Sequence, residues 1–152
     1  MRAIVQRVTR GSVTISESGE VRAITHGFVI FVGITQTDTA SDVSLLGSKI
    51  RSIRVFRDDA GKMNLSLYDI LSPQVLIVSQ FTLHADVRKG RRPSFTASAS
   101  PVIAIPLYNL FVQNFIDSGI PTVTGDFGAD MQVEITNDGP ITLFLDTENL
   151  RK

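Results

Sequence analysis

The chain has no cysteine among its 152 residues. Disulfides, thiolate metal sites and cysteine nucleophiles are therefore excluded. An excess of either charge is also missing: 15 Lys and Arg stand against 15 Asp and Glu, a formal net charge of zero. No global field draws such a chain to nucleic acid, so any contact of that kind has to be local. No apolar run approaches the roughly 20 residues of a membrane span. The N-terminus opens directly on a strand-like pattern, with no signal-peptide core. These absences predict a cytoplasmic protein with no membrane attachment. Only two histidines occur, His26 and His84, far apart and in no H-x-x-x-H pattern, so neither a metal nor another cofactor is expected. P-loop, G-x-G-x-x-G and G-x-S-x-G signatures are all missing.

What is present suits a globular protein: 43% hydrophobic and 20% charged residues, with neither repeat nor linker, predict one domain over residues 1–152. From Met1 to Thr9 apolar and polar residues alternate. Gly11 breaks the pattern, which resumes at Ser12–Ser16 and, past a turn at Glu17–Glu20, at Val21–Thr25, a hairpin signature. Phe28–Ile34 is a continuous apolar run, as in a central strand. Thr39 or Ser41 can cap a helix starting near Asp42, with Val43, Leu46, Ile50 and Ile53 on its apolar face. Arg54–Phe56 reads as extended and Asp58–Lys62 as a turn.

A second helix carries the stripe Leu107, Leu110, Phe111, Asn114 and Phe115 and stops at Gly119. It begins either at Pro101, after a Ser100 cap, or only at Pro106, since a proline inside a helix removes a backbone bond. Met131–Ile135 and Ile141–Leu145 read as the last strands. Many strands and two main helices in no strict βαβ alternation predict an α+β fold with a largely antiparallel sheet or barrel.

Two stretches carry chemistry. Val75–Val78 is a buried-strand run that turns abruptly polar at Ser79, Gln80 and Thr82 around Phe81, which puts hydrogen-bonding groups at the rim of a core. Asn137-Asp138-Gly139-Pro140-Ile141-Thr142 has turn composition, and its bland reading is a plain turn between strands. Yet a cis Gly139-Pro140 unit could aim two main-chain carbonyls side by side, hold an amino group, and block one substituent direction on a chiral carbon. The two stretches are expected to meet in space. Ser79, His84 and Asp86 suggest a hydrolase triad, but they are nearly adjacent, whereas triad members come from separate segments. His84 reads instead as a rim residue or a neighbour of Asp86. Thr82 has no evident base beside it. Arg88, Lys89, Arg91 and Arg92 lie on a Gly/Pro loop. That loop is either a solvated surface or a contact for backbone phosphates.

Ser79-Gln80-Phe81-Thr82 together with Asn137-Asp138-Gly139-Pro140-Ile141-Thr142 resembles the two signature motifs of the D-aminoacyl-tRNA deacylases. Ile4–Arg10, Gly61-Lys62-Met63-Asn64, Arg92-Pro93-Ser94-Phe95 and Ala129–Val133 also resemble that family, so the likeness spans essentially the whole chain. Pro106 in the long helix and Ile141, where valine is common, are its departures.

The resemblance implies hydrolysis of the ester joining a D-amino acid to the terminal adenosine of tRNA, a chiral proofreading step in translation quality control. It further implies a homodimer in which Gly139-Pro140, in cis, enters the other subunit's pocket and rejects L-residues. Ser79, Gln80, Phe81 and Thr82 would form the catalytic floor, and Arg7 and Asn137 would support the Gly139-Pro140 loop. Arg88, Lys89, Arg91 and Arg92 are candidate tRNA contacts. The chemistry would rest on positioning and on the substrate's ribose 2′-hydroxyl, with Thr82 ranked below that route as a nucleophile. A filter that works only by rejecting side chains leaves glycyl-tRNA exposed. Two other readings stand beside this one: a non-catalytic module that binds the tRNA acceptor end, and a small-ester hydrolase using Ser79 or Thr82.

Overall fold

Apolar periodicity explains where each strand lies. The computed structural model describes residues 1–151, so Lys152, the last residue of the expected domain, lies outside them. Eight strands are formed: β1 (Arg2–Ile15), β2 (Val21–Ile24), β3 (Gly27–Gly33), β4 (Phe56–Arg57), β5 (Met63–Leu65), β6 (Gln74–Ser79), β7 (Thr122–Thr124) and β8 (Met131–Asp146). The helices are α1 (Ala40–Ser52), α2 (Pro101–Asp117) and the short α3 (Thr147–Leu150), with a 3₁₀ turn over Phe81–His84.

The continuous apolar runs at 28–34 and 75–78 become β3 and β6, which pair in parallel. Both strands are covered on two faces, which is why they lack polar alternation. Phe28, Ile30, Val32, Val75 and Ile77 face the helices with Val43, Leu46, Ile50, Phe111 and Phe115. Val29, Leu76 and Val78 face the other way, joining Val8, Val13, Ile15 and Ile24 inside the curl of the sheet. Each such fully buried aliphatic side chain contributes about 1.5–3 kcal/mol.

The architecture is α+β with a mixed, largely antiparallel sheet that curls towards a barrel. Strand β1 pairs antiparallel with β2, β3 and β8, whereas β3–β6 and β6–β7 are parallel. The curl brings β2 back towards the end of β7, where Arg22 donates to the Thr124 carbonyl at 2.9 Å and to Asp126 at 2.8 Å.

Three local expectations need correction. Gly11 does not break β1: the strand runs through it, because partners on both sides, Ile24 and Ile135, keep the ladder going. Asn137–Pro140 is not a turn between two strands. It lies within β8, whose two halves both pair with β1. Between the Gln6–Thr142 and Val8–Asn137 pairs, β8 carries three more residues than β1 does. The chain therefore leaves the ladder as a bulge without reversing, which is how turn-type residues sit inside a strand.

Third, the buried stripe of α2 is Ala104, Tyr108, Phe111 and Phe115, while Leu110 is largely exposed. The helix does begin at Pro101 after Ser100, and Pro106 lies inside it. The carbonyl of Val102 loses its donor to Pro106, but Val102 is 84% exposed, so water can serve instead. Helix α1 is capped at Thr39, whose N–H and hydroxyl both donate to the Asp42 carboxylate, at 2.9 and 3.0 Å.

Candidate active site

The end of β6 and the turn after it build one wall of a hollow of about 270 Å³. Ser79, Gln80 and Phe81 line it beside Val32 and Ile34, and Ala99 and Ala104 close one side. The opposite wall is Phe127, Gly128, Ala129, Asp130, Met131 and Val133. Strand β6 stops being apolar where the sheet stops being covered. The polar residues at its end are thus delivered to the rim.

The hydrogen bonds of this rim are specific. Gln80 N–H donates to the Val32 carbonyl at 2.8 Å, holding the turn on the end of β3. Leu83 N–H donates to the Gln80 carbonyl and Ala85 N–H to that of Thr82. The first N–H groups of a helical turn have no partner within it. The Phe81 and Thr82 N–H groups occupy those positions, and among the described residues no side chain accepts from them. Gln80 Nε2 donates to the Thr82 hydroxyl. That hydroxyl therefore receives an N–H and faces no base. Thr82 is exposed and outside the lining of the hollow, whereas Phe81 packs edge-on against Phe95 at 5.1 Å.

The triad is not assembled. Asp86 is committed to Arg88, whose Nε and Nη2 lie 2.9 and 2.7 Å from its carboxylate; these hydrogen bonds hold its carboxyl well below the usual range. His84 is not at the rim but buried, 5% exposed. Burial is the larger cause of the fall in its pKa, which keeps the imidazole neutral.

Sequence reasoning missed the wall at residues 127–131 as part of the site, and with it Asp130, the one titratable side chain in the lining. That wall is braced from behind: the Tyr108 hydroxyl donates to the Ile77 carbonyl at 2.9 Å and its ring meets Phe127 edge-on at 5.5 Å. The aromatic pair 127/108 has no signature in sequence, because it joins a loop to a helix.

Around the bulge of β8 the side chains named from sequence do come together. Asn137 Nδ2 donates to the carbonyls of Arg7 and Ile141, both at 2.9 Å, and its Oδ1 accepts from the Thr142 hydroxyl at 3.1 Å. Asparagine thus closes the neck of the bulge with both ends of its amide. Arg7 is buried, donates to the Val55 carbonyl, and places Nε 2.9 Å from the Asp138 carboxylate. That contact is an ion pair by distance, though the N–H is not aligned for a hydrogen bond. Gly139 and Pro140 project into solvent, joined by a cis peptide bond.

Within one chain the two stretches do not meet. The bulge lies opposite Gln6–Val8 of β1, whereas Ser79 pairs with Val32, which pairs with Ala3. Three to five residues of strand separate those levels, roughly 10–17 Å. None of residues 137–142 lines the hollow.

Lys89, Arg91 and Arg92 are exposed on their loop, as is the Asp86-bound Arg88. Among the described residues no three His, Cys, Asp or Glu side chains gather as a metal site requires, and no helix is long and apolar enough to cross a membrane.

Comparison with known proteins bears on the family. The chain is 54% identical over 152 residues to a D-aminoacyl-tRNA deacylase of Chloroflexus aurantiacus, covering 99% of this chain and 93% of that protein. It is 51% identical over 148 residues to one of Thermus aquaticus, covering 97% and 95%. A solved structure titled c-Myc DNA Unwinding Element Binding Protein superposes with a TM-score of 0.88 at 41% identity, over 96% of this chain and 98% of that one. A probable eukaryotic D-amino acid tRNA deacylase shares the fold, with a TM-score of 0.83 at 16% identity, over 95% and 97%. Residues 4–146 match the family described as D-Tyr-tRNA(Tyr) deacylase, and the chain belongs to that family.

Proposed function

We propose that this D-aminoacyl-tRNA deacylase hydrolyses the ester between a D-amino acid and the terminal adenosine of tRNA in the hollow beside Ser79, Gln80, Phe81 and Thr82. The observation that carries the reading is the near full-length likeness to deacylases at about half identity. The site geometry supplies a mechanism. The Phe81 and Thr82 N–H groups can receive the developing oxyanion of the tetrahedral intermediate, and prepositioned donors of this kind supply several kcal/mol. Holding ester, water and the substrate's 2′-hydroxyl together supplies more. The hydroxyl of Thr82 accepts a bond from Gln80, so it is a poor nucleophile. Thr82→Ala is expected to lower kcat less than about tenfold, against the roughly 10⁴–10⁶ loss expected when a nucleophile is removed. Single-turnover deacylation measures it, and complete loss with folding and tRNA binding intact would overturn the RNA-assisted route.

We further propose a homodimer in which the exposed Gly139-Pro140 bulge of one copy reaches the hollow of the other and acts as the chiral filter. The separation of the two stretches within one chain supports a cross-subunit site, and the Arg7–Asp138 and Asn137 contacts support a rigid bulge. Such a filter excludes L-residues by clash at the side chain. Glycine has none, so glycyl-tRNA is expected to be hydrolysed at a measurable rate in the same assay. Full resistance of that ester at high enzyme concentration would refute a filter that works only by rejection. Lys89, Arg91 and Arg92, with Arg88, would meet acceptor-end phosphates, and a tRNA substrate would put the reaction in the cytoplasm. Residues 1–152 would act as one domain.

The experiment is a deacylation time course on matched D-tyrosyl- and L-tyrosyl-tRNA in chelator. Loss of the D ester alone is the expected result. Hydrolysis of both would indicate an esterase without the filter. A second reading, a nucleic-acid-binding module without turnover, is favoured by the 41% identical solved structure named for DNA binding. Tight binding with neither ester cleaved would select it.

A further inference from the structure

A buried histidine next to the candidate site has no assigned role. His84 closes the 3₁₀ turn whose first residues, Phe81 and Thr82, carry the proposed oxyanion donors. It is buried, and its Nε2 has no hydrogen-bond partner among the described residues. The turn is seated directly on Gly33 at the end of β3. A Cβ built on that glycine would stand 2.9 Å from the Gln80 carbonyl oxygen and 3.0 Å from both Leu83 Cβ and His84 Cδ2. Backbone and turn are thus in contact at Gln80, Leu83 and His84, and the Gly33 main chain lies against the imidazole.

We propose that neutral His84 is a positioning residue: it seats the Phe81–His84 turn on β3 so that the Phe81 and Thr82 N–H groups face the ester, and its protonation unseats that turn. The inference rests on the deacylase reading above.

The surroundings give the reason. The charges that bear on His84 are the Arg2 guanidinium, the Met1 ammonium and the Asp38 carboxylate. Two of the three are cations. The single carboxylate is already engaged, by the Met1 ammonium at 2.6 Å and the Thr35 N–H at 2.7 Å. Arg2 is also committed, donating to Asp146 at 2.8 Å and to the Leu83 carbonyl of the same turn at 3.1 Å. An imidazolium here would be desolvated, repelled by two cations and left without a free anion. Desolvation is the first cause of its lowered pKa, and the repulsion by Arg2 and Met1 acts in the same direction, outweighing the Gly33 main chain and Asp38, which favour the charged form.

The sign follows from linkage. A histidine whose pKa is lower in the folded state stabilises that state above the ordinary histidine pKa. The contribution is lost as pH falls through the folded value. Neutral solution therefore keeps the turn seated, and acid releases it.

The test compares kcat on D-tyrosyl-tRNA as a function of pH for the wild type, His84→Leu and His84→Gln, after subtracting uncatalysed hydrolysis. Neutral-pH turnover of the D ester by the wild type first establishes the deacylase reading; its absence would count against that reading, not against His84. The wild type is expected to lose about tenfold per pH unit below the titration of His84. A folded variant should lack that acid limb, whatever its kcat at neutral pH. The same limb in wild type and variants would overturn the proposal. Because His26 is the only other histidine, NMR of the wild-type imidazoles gives a second readout that needs no variant. The Phe81 and Thr82 amide signals should shift with His84, and constancy of those amides through its protonation would also overturn the proposal.

Discussion

Gly139→Ala is expected to lower deacylation of D-tyrosyl-tRNA by about ten- to a hundredfold and to leave the fold intact. Gly139 has φ +115°, a region essentially reserved for glycine. Holding another residue in such a conformation costs of order 1–3 kcal/mol, which in a rate is about one to two powers of ten. Space is also short. A Cβ would stand 2.9 Å from Ile141 Cγ1, 3.0 Å from Arg7 Nη2 and 3.1 Å from the Ile141 nitrogen. One of those neighbours is the side chain of a buried arginine and another is backbone, so little can give way. The bulge must shift, and the carbonyls proposed to face the substrate shift with it. Because Gly139 and Pro140 are exposed, the strain stays local and the melting temperature should move by only a few degrees. Matched assays on D- and L-tyrosyl-tRNA, with a thermal melt, measure both. An alanine variant with wild-type rate and chirality would remove Gly139 from the filter.

Arg7→Ala should be the most damaging single change to the bulge as a structure. The Arg7 side chain is 2% exposed and donates to the Val55 carbonyl. Deleting it strands that carbonyl, at about 1–3 kcal/mol for an unsatisfied buried acceptor, and leaves a cavity besides. The pair with Asp138 adds less, since that carboxylate is 41% exposed and screened by water. A total loss of about 2–4 kcal/mol is expected from denaturant titration. Activity should fall further than stability, because Asp138 then loses its anchor and the bulge its fixed direction. Arg7→Lys keeps the charge but cannot reach Val55 and Asp138 together with one ammonium, so it should recover only part of the activity. A stable alanine variant with normal turnover would show that the bulge is held by Asn137 alone.

Much of this was legible in the residues, and the failures have physical causes. The runs at 28–34 and 75–78 could be read as central strands because a strand buried on both faces needs no polar alternation. The Thr39–Asp42 cap and the hairpin before Val21 are local devices, settled within a few residues. Asn137–Pro140 misled because its composition suits a turn, and composition cannot distinguish a turn that reverses a chain from a bulge that leaves and rejoins the same ladder. Only the partner strand β1 decides, by pairing with both halves of β8. His84 misled for a related reason. A polar residue after a buried run looks like rim, yet the missing side chain of Gly33, some 50 positions earlier, lets the turn settle and covers the imidazole.

The sequence by itself determined the fold class, the two signature stretches and the absence of cysteine chemistry, since these rest on periodicity, local motifs and composition. The tertiary structure alone decided that the two stretches stand apart in one chain, that residues 127–131 form the far wall of the hollow, and that His84 is buried at the end of the Phe81–His84 turn. Each of those depends on contacts between segments tens of residues apart, made only when the sheet curls and buries what local order leaves exposed.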